Sequence, residues 1–433
     1  MSFISYFLRG TLTALGLILA LVGLLSVAHT TPVHTVLAPG VGGEAPAVHD
    51  PQFNRIMELY TGTHLSEGNR VEVLLNGDST YERMWDDIRS AKQSIIVQAY
   101  FAEPGKVADS LQRLLIDRAR AGVRVAVLLD AFGAASLKHT KVLPALRAAG
   151  IRVAWLRPIR WYTLNRATTR SHSRLVAVDG RVGYTGGFGI ADEWLGDGAH
   201  DGQWRETNVR FEGPAVAELQ AAFATCWAEA TGVLFAGDVF ASRSAFTPRG
   251  TVVAGLMHTV PSVGSTAAER FVALTIAGAR RSLYITNSYF VPNQDFRTLL
   301  KAAARRGVDV RVLTVGEKTD VKTTWYAGRA YYEDLLAGGV RIFEYQPSMI
   351  HAKTIVADGM WSAIGSMNFD NRSMAFNNET NLVASDSVFG ARMDSVFVRD
   401  CTSAREMRLA TFRMRGAWER MLEWGAEKVW RVL

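Results

Sequence analysis

The 433-residue chain is 48% hydrophobic and 21% charged, a globular composition with no disordered bulk. Lysine and arginine outnumber aspartate and glutamate 48 to 41, giving a formal net charge of +7 that suits anionic partners such as phospholipid head groups or nucleic acid. The two cysteines, Cys226 and Cys401, show no CxxC or Cys/His spacing, which argues against a zinc site and a disulfide framework and leaves only one bridge open.

At the N-terminus, residues 10–28 (GTLTALGLILALVGLLSVA) carry no charge. As a helix they would span roughly 28 Å at about 1.5 Å per residue, enough for the hydrocarbon layer. Ser26-Val27-Ala28 fits a signal-cleavage site, but the apolar run is longer than a usual signal core. Residues 1–30 are therefore expected to hold an uncleaved transmembrane anchor. Arg9 precedes the run and no Lys or Arg follows until Arg55, which places the N-terminus in the cytoplasm. Residues 31–68, opening in Pro, Gly and Thr, read as a linker.

The chain then repeats itself. Helix-like stretches at Tyr81–Ala91 and Ala267–Ala279 each precede a buried-strand pattern, Ser94–Phe101 and Ser282–Phe290. Next, LLIDRARAGVRVAVLLD (Leu114–Asp130) matches LLKAAARRGVDVRVLTVG (Leu299–Gly316), each a helix closed by a glycine, Gly122 or Gly307, before a β-branched strand. LRAAGIRVAWL (Leu146–Leu156) matches LLAGGVRIFEY (Leu335–Tyr345). Strands alternating with helices predict an α/β fold: two similar α/β/α sandwich domains with mixed, largely parallel sheets, residues 69–250 and 251–433, joined near Pro248–Ser265. Two such halves predict an intramolecular pseudo-dimer with equivalent loops facing each other, so a site between them needs no second copy.

Each half ends in a histidine motif. The second reads His351, Lys353, Asp358, Gly365, Ser366, Asn368; the first reads His172, Arg174, Asp179, Gly186, Gly187, Gly189, in the same order and spacing. On a strand, His351 and Lys353 point to one face and can address one phosphate. Asp358-Gly359 and Asp179-Gly180 are hairpin signals, so both aspartates read as turn or ion-pair residues rather than catalytic acids. The returning strand delivers Ser366 and Asn368 beside Lys353 as neutral donors, and Gly365 permits close approach. In the first half Arg174 keeps the cation, and Gly187 and Gly189 leave only backbone N–H groups to bind phosphate. Glu206-Thr207-Asn208 and Glu379-Thr380-Asn381 follow the motifs, and a carboxylate on one imidazole nitrogen would fix its tautomer. Two imidazoles with neighbouring cations suit metal-free attack on a phosphodiester. The bland alternative is a structural repeat with no phosphate site.

These motifs resemble those of the phospholipase D superfamily, and within it the bacterial cardiolipin synthases, over residues 69–385. YTGGFGIADEWLG (Tyr184–Gly196), WRETNVRFEGPAV (Trp204–Val216), NSYFVPN (Asn287–Asn293) and FDNRSMAFNNETN (Phe369–Asn381) are similar to synthase segments. The first motif departs from the superfamily pattern at Arg174, Gly187 and Gly189. The resemblance implies phosphatidyl transfer through a phosphohistidine without metal or cofactor, His172 as nucleophile and His351 as acid and base, or the reverse. It implies phosphatidylglycerol as substrate and a bacterial inner-membrane location, with nucleic acid not the expected partner. A hydrolase, a membrane-anchored nuclease and an inactive lipid-binding protein are the competing readings. Arg157, Arg160, Trp161, Tyr162, Arg166 and Arg170 mix basic and aromatic groups before the first motif, as a head-group interface or a solvated loop would. Met414, Trp418, Met421, Leu422, Val429 and Leu433 follow helical spacing and predict a C-terminal amphipathic helix packed on the body.

Overall fold

The computed structural model describes residues 10–21, 44–159, 161, 169–235, 247–261 and 266–430. Helix α1 covers 10–21. No helix among the described residues is long and apolar enough to cross a membrane, so the expected transmembrane helix is not found there. The remainder of that expected span, 22–28, lies outside the described residues.

The first half runs α2 (Pro51–Thr61), β1 (Ser66–Leu75), α3 (Asn76–Arg89), β2 (Ser94–Ala99), α4 (Lys106–Arg120), β3 (Arg124–Asp130), α5 (Val142–Ala148) and β4 (Arg152–Leu156). It continues through β5 (Arg170–Ser171), β6 (Leu175–Val178), β7 (Val182–Gly186), β8 (Trp204–Arg205), β9 (Thr207–Glu212) and α6 (Ala215–Thr231). The second half repeats the plan with β10 (Val252–Thr259), α7 (Ala267–Gly278), β11 (Ser282–Asn287), α8 (Gln294–Arg305) and β12 (Asp309–Val315). Then come α9 (Lys322–Arg329), α10 (Tyr332–Ala337), β13 (Arg341–Tyr345), β14 (Met349–Ile350), β15 (Lys353–Ala357) and β16 (Trp361–Gly365). The chain closes with β17 (Asn377–Ser385), α11 (Ser387–Cys401), β18 (Ala404–Met407), α12 (Leu409–Arg413) and α13 (Ala417–Trp430).

Instead of two separate sheets, a single sixteen-stranded sheet runs through both halves in the order β18-β13-β12-β11-β15-β16-β17-β10-β1-β9-β7-β6-β2-β3-β4, with β5 attached to β17. The expectation of largely parallel sheets is corrected. Only β2-β3-β4 and β11-β12-β13 are parallel within that order, because only there does a helix carry the chain back across the sheet. The motif segments instead form antiparallel meanders, β6-β7-β9 and β15-β16-β17. In both hairpins the turn has two left-handed residues, Asp179 (φ 53) with Gly180 (φ 59) and Asp358 (φ 56) with Gly359 (φ 61), the backbone of a type I′ turn.

The halves join where β1 pairs antiparallel with β10. Thr185 of β7 and Thr380 of β17 nevertheless touch, hydroxyl to hydroxyl at 3.2 Å, so the sheet curls at the seam and brings the two meanders face to face. One apolar core packs α3, α4 and α5 on the first half, and another packs α2, α7, α8 and α10 on the second. A third core unites the halves, with Phe223 and Trp227 of α6 and Phe389 and Met393 of α11 packed among Leu128, Phe211, Leu256 and Leu382. That shared core ties the two halves together along the seam.

Candidate active site

Each histidine follows a two-residue strand, and each such strand pairs with the opposite half. β5 lies parallel to the start of β17, setting Arg170 and Ser171 beside Asn377 and Asn378, while β14 lies parallel to β8. The next residue on each strand is therefore handed across the seam. His172 Nδ1 lies 3.0 Å from both carboxylate oxygens of Glu379, and His351 Nδ1 lies 2.6 Å from Glu206 Oε2. The histidines and glutamates are swapped between halves. A carboxylate only accepts, so each Nδ1 carries the hydrogen and each Nε2 keeps its lone pair for chemistry.

The cations also repeat. Arg174 donates to the carbonyl of its own His172 at 3.1 Å, and Lys353 donates to the carbonyl of His351 and to Ser288 Oγ. Arg174 is buried, and its Nε has no hydrogen-bond partner among the described residues, which leaves a donor for an anion. Aromatic rings wall the site. Tyr100 sits edge-on 4.9 Å from His172; Trp204, Trp194 and Tyr289 stand 4.9, 5.3 and 6.4 Å from His351.

Burial pushes His172 well below the usual imidazole range, and the Arg174, Lys353 and Arg372 charges add to this. Burial and Lys353 hold His351 down to about 3, against the pull of Glu206. Both rings are therefore neutral at pH 7, and their contacts with glutamate are hydrogen bonds rather than ion pairs. The two carboxylates differ. Burial opposes ionisation of Glu206, but His351, Lys353 and the Thr207 N–H outweigh it and hold the group at about 2. Burial raises Glu379 to about 7 despite hydrogen bonds from Ser366 and Asn377 and the Arg174 charge. Burial and Arg174 bring Lys353 down to about 7, against Glu206 and Glu379.

The expected phosphate binders sit differently from the sequence reading. Ser366 Oγ donates to Glu379 Oε2 at 2.5 Å and accepts from the Thr380 N–H, so its hydroxyl supports the carboxylate instead of facing a phosphate. Asn368 is buried with its Oδ1 unpartnered among the described residues. A Cβ at Gly187 would come within 2.3 Å of Glu206 Oε2, so this glycine makes room for the carboxylate that holds His351. A Cβ at Gly189 would come within 2.5 Å of the Trp194 ring. Trp194 fills the space opened by Gly189, and its Nε1 donates at 3.2 Å to Glu206, whose carboxylate fills the space opened by Gly187. Gly186 and Gly365 lie against Asn208 and Asn381 in the neighbouring strands.

Asp179 and Asp358 stand apart from the histidines. Each caps the start of the first parallel strand of its half, accepting from the N–H groups of Lys92, Gln93 and Ser94, or of Arg280, Arg281 and Ser282. The basic-aromatic stretch is also reassigned in part: Arg157 pairs with Glu229 at 2.8 Å, and Arg170 is buried near Asp130. Arg160, Tyr162 and Arg166 lie outside the described residues. Among the described residues no cluster of His, Cys, Asp or Glu is arranged to hold a metal ion. Sequence reasoning missed Tyr100, Tyr289, Trp194 and Trp204. The Tyr-Phe doublets at 100–101 and 289–290, at matching places in the repeat, were the available signal for the tyrosines.

An α/β enzyme fold with one buried, pseudo-symmetric pair of imidazole–carboxylate dyads is the class this geometry defines. The family described as cardiolipin synthase, PLD-like domain, matches residues 84–227 and 272–401, one stretch in each half. A cardiolipin synthase of Geobacillus kaustophilus is 33% identical over 82% of this chain and 70% of its own length. Cardiolipin synthase A of Pseudomonas fluorescens is 33% identical over 78% of this chain and 70% of its own. The fold is similar to that of a phosphatidylserine synthase from Haemophilus influenzae, with a TM-score of 0.67 and 11% identity over 88% of this chain and all of that one. The chain belongs to the cardiolipin synthase family of phospholipase D-like enzymes.

Proposed function

We propose that the protein is a phosphatidyltransferase that joins two phosphatidylglycerol molecules into cardiolipin and releases glycerol, through a phosphohistidine. His172 Nε2 attacks the phosphorus of the first lipid, and the bond to the glycerol oxygen breaks as His351 gives that oxygen a proton. His351 then takes the proton of a hydroxyl on the second phosphatidylglycerol, whose oxygen attacks phosphorus and frees His172. The observation that carries this reading is the swapped dyad pair, which presents two free Nε2 atoms with Arg174 and Lys353 in one buried site.

The electrostatics support this division of labour. Glu206 stays ionised and so stabilises the imidazolium that His351 must become as the acid. In the free enzyme burial keeps both rings neutral, and the positive charge of the neighbouring cations adds to this. A phosphodiester anion between them offsets that charge, so substrate binding raises the basicity of the ring that is to carry the proton. Lipid substrates place the working enzyme at the cell membrane.

The test incubates the purified full chain with labelled phosphatidylglycerol and, separately, with single-stranded DNA. The expected result is one glycerol released per diphosphatidylglycerol formed, with DNA intact. Phosphatidate as the main product would make water the acceptor and the enzyme a hydrolase; DNA cleavage without lipid product would overturn the proposal.

A further inference from the structure

Helix α13 is built inside out. Its innermost side chain is a carboxylate: Glu423 is 2% exposed and pairs with Arg329 of α9 at 3.2 Å and with Arg415 at 2.7 Å. Glu427 reaches the Tyr331 hydroxyl on the same side. Trp418, Met421 and Trp424, spaced three residues apart, face outward at 67%, 49% and 63% exposure, and Met414 just before the helix is 84% exposed. A buried acid beneath an exposed aromatic stripe reverses the ordinary partition, and it corrects the expectation that this stripe packs on the body. Arg420 and Lys428 flank the stripe and are exposed; the side chain of Val429 and all of Leu433 lie outside the described residues.

We propose that the outward face of α13 is a docking surface for an anionic lipid bilayer, with Trp418, Met421 and Trp424 entering the head-group region. Two observations beyond exposure select this occupant. The first is chemistry: indole rings and a thioether beside the exposed Arg420 guanidinium fit the boundary between acyl chains and negatively charged head groups, while Lys428 is paired with Glu427 at 3.0 Å. The second is position. α13 packs on α9, and Asp320, just ahead of α9, accepts a 2.7 Å hydrogen bond from Tyr289, which stands edge-on to His351. The stripe is thus one helix away from the His351 wall of the site. Taken with the phosphatidyl-transfer reading, on which this inference rests, α13 holds the site against the surface that contains its amphiphilic substrate.

The experiment uses the full chain and reads insertion at α13 itself, because the apolar N-terminal run offers a separate route to lipid. Cys226 is buried, so Trp424→Cys in a Cys401→Ser background takes an environment-sensitive dye at one position. The dye should shift to the blue, and brominated acyl chains should quench it, with phosphatidylglycerol vesicles but not with pure phosphatidylcholine. A dye that stays water-exposed while the protein is vesicle-bound overturns the proposal. In parallel, Trp418→Ser/Met421→Ser/Trp424→Ser should lower turnover of vesicular phosphatidylglycerol about tenfold and leave turnover of a monomeric short-chain phosphatidylglycerol unchanged. Equal loss on both substrates would make α13 structural. Conversion of a dimeric parent to a monomeric variant in light scattering would make the stripe a contact between copies. Either result refutes bilayer docking. If the parent turns over neither lipid, the catalytic reading fails while the dye still decides the docking.

Discussion

In the second half, Glu379 takes its supporting hydrogen bonds from Ser366 at 2.5 Å and Asn377 at 3.3 Å. In the first half, Glu206 takes them from the Trp194 indole at 3.2 Å and the Thr207 N–H at 2.9 Å. The position equivalent to Ser366 is Gly187, and the one equivalent to Asn368 is Gly189; read along the chain, the first half has lost two donors. In space it has exchanged a hydroxyl for an indole: Gly189 is the room the indole requires, and Gly187 the room for the carboxylate it donates to. The lesson is that the halves keep one function, an oriented imidazole, while tuning their carboxylates apart, Glu206 to about 2 and Glu379 to about 7. On the proposed mechanism, in which one imidazole is the nucleophile and the other the acid, a duplicated site benefits from that difference.

The largest expected effect tests the swap itself. Glu206→Gln should mimic His351→Ala and Glu379→Gln should mimic His172→Ala, each lowering kcat by roughly 10³- to 10⁴-fold, as loss of the group orienting a catalytic imidazole does elsewhere. A donor lipid with a p-nitrophenyl leaving group separates the pairs, because such a group departs without a proton. It should restore phosphoenzyme formation in Glu206→Gln and His351→Ala, but not in Glu379→Gln or His172→Ala. The opposite pattern would mean that His351 is the nucleophile; rescue that grouped each glutamate with the histidine of its own half would break the swapped pairing.

Next comes the glycine that looks dispensable. Gly187→Ala drives a methyl group into the Glu206 carboxylate, and Gly187→Ser, which copies the second half, does so with a larger group. Displacement of a catalytic partner by about 1 Å costs roughly 10²-fold in kcat, so both variants should fall by that order with the fold intact. Near-normal kcat in Gly187→Ser would show that the halves are interchangeable and that the indole solution is incidental.

The fate of these residues marks what the sequence could reveal. The repeat, the two histidines, their cations and the Asp-Gly turns were legible, because each depends on local order and on spacing that the chain displays directly. Partnership across the seam was not. Glu206 follows His172 and Glu379 follows His351 along the chain, so proximity in sequence suggests the wrong couples. Only the pairings of β5 with β17 and β14 with β8 reveal the right ones. The role of Ser366 was misjudged for a related reason: a hydroxyl beside a cation suggests a phosphate ligand until the carboxylate beneath it is in place. The sheet was read as too parallel because the helix-strand rhythm of the outer strands was extended into meanders that have no crossover helix.

A smaller effect measures how alike the two donors are. Trp194→Phe keeps most of the ring that fills the space above Gly189 and removes only the N–H to Glu206; Ser366→Ala removes the hydroxyl to Glu379. A buried acceptor that loses one of several donors is destabilised by about 1–3 kcal/mol, so kcat should drop by roughly 5- to 160-fold in each. The pH profiles should separate them. Ser366 helps to hold Glu379 down, so without it the acid limb of kcat/KM moves to higher pH; Trp194→Phe leaves that limb in place.

The mildest prediction at neutral pH concerns the cations. Burial and Arg174 lower Lys353 to about 7, so its charge is present below that pH and is lost as pH rises through it. Glu379, raised to about 7, loses its negative charge as pH falls through the same range. If both charges are needed, kcat/KM for the free enzyme is bell-shaped around neutrality, Glu379 setting the acid limb and Lys353 the alkaline one. Lys353→Arg, which gives the second half the cation of the first, keeps its charge at every accessible pH. It also disturbs the 2.8 Å bond to Ser288, so a loss of a few-fold at pH 7 is expected from geometry alone. The informative readout is the shape: the alkaline limb should move up by at least about one pH unit while the acid limb stays fixed. An unmoved alkaline limb would assign that titration to another group and leave Arg174 and Lys353 equivalent in charge despite their different chemistry.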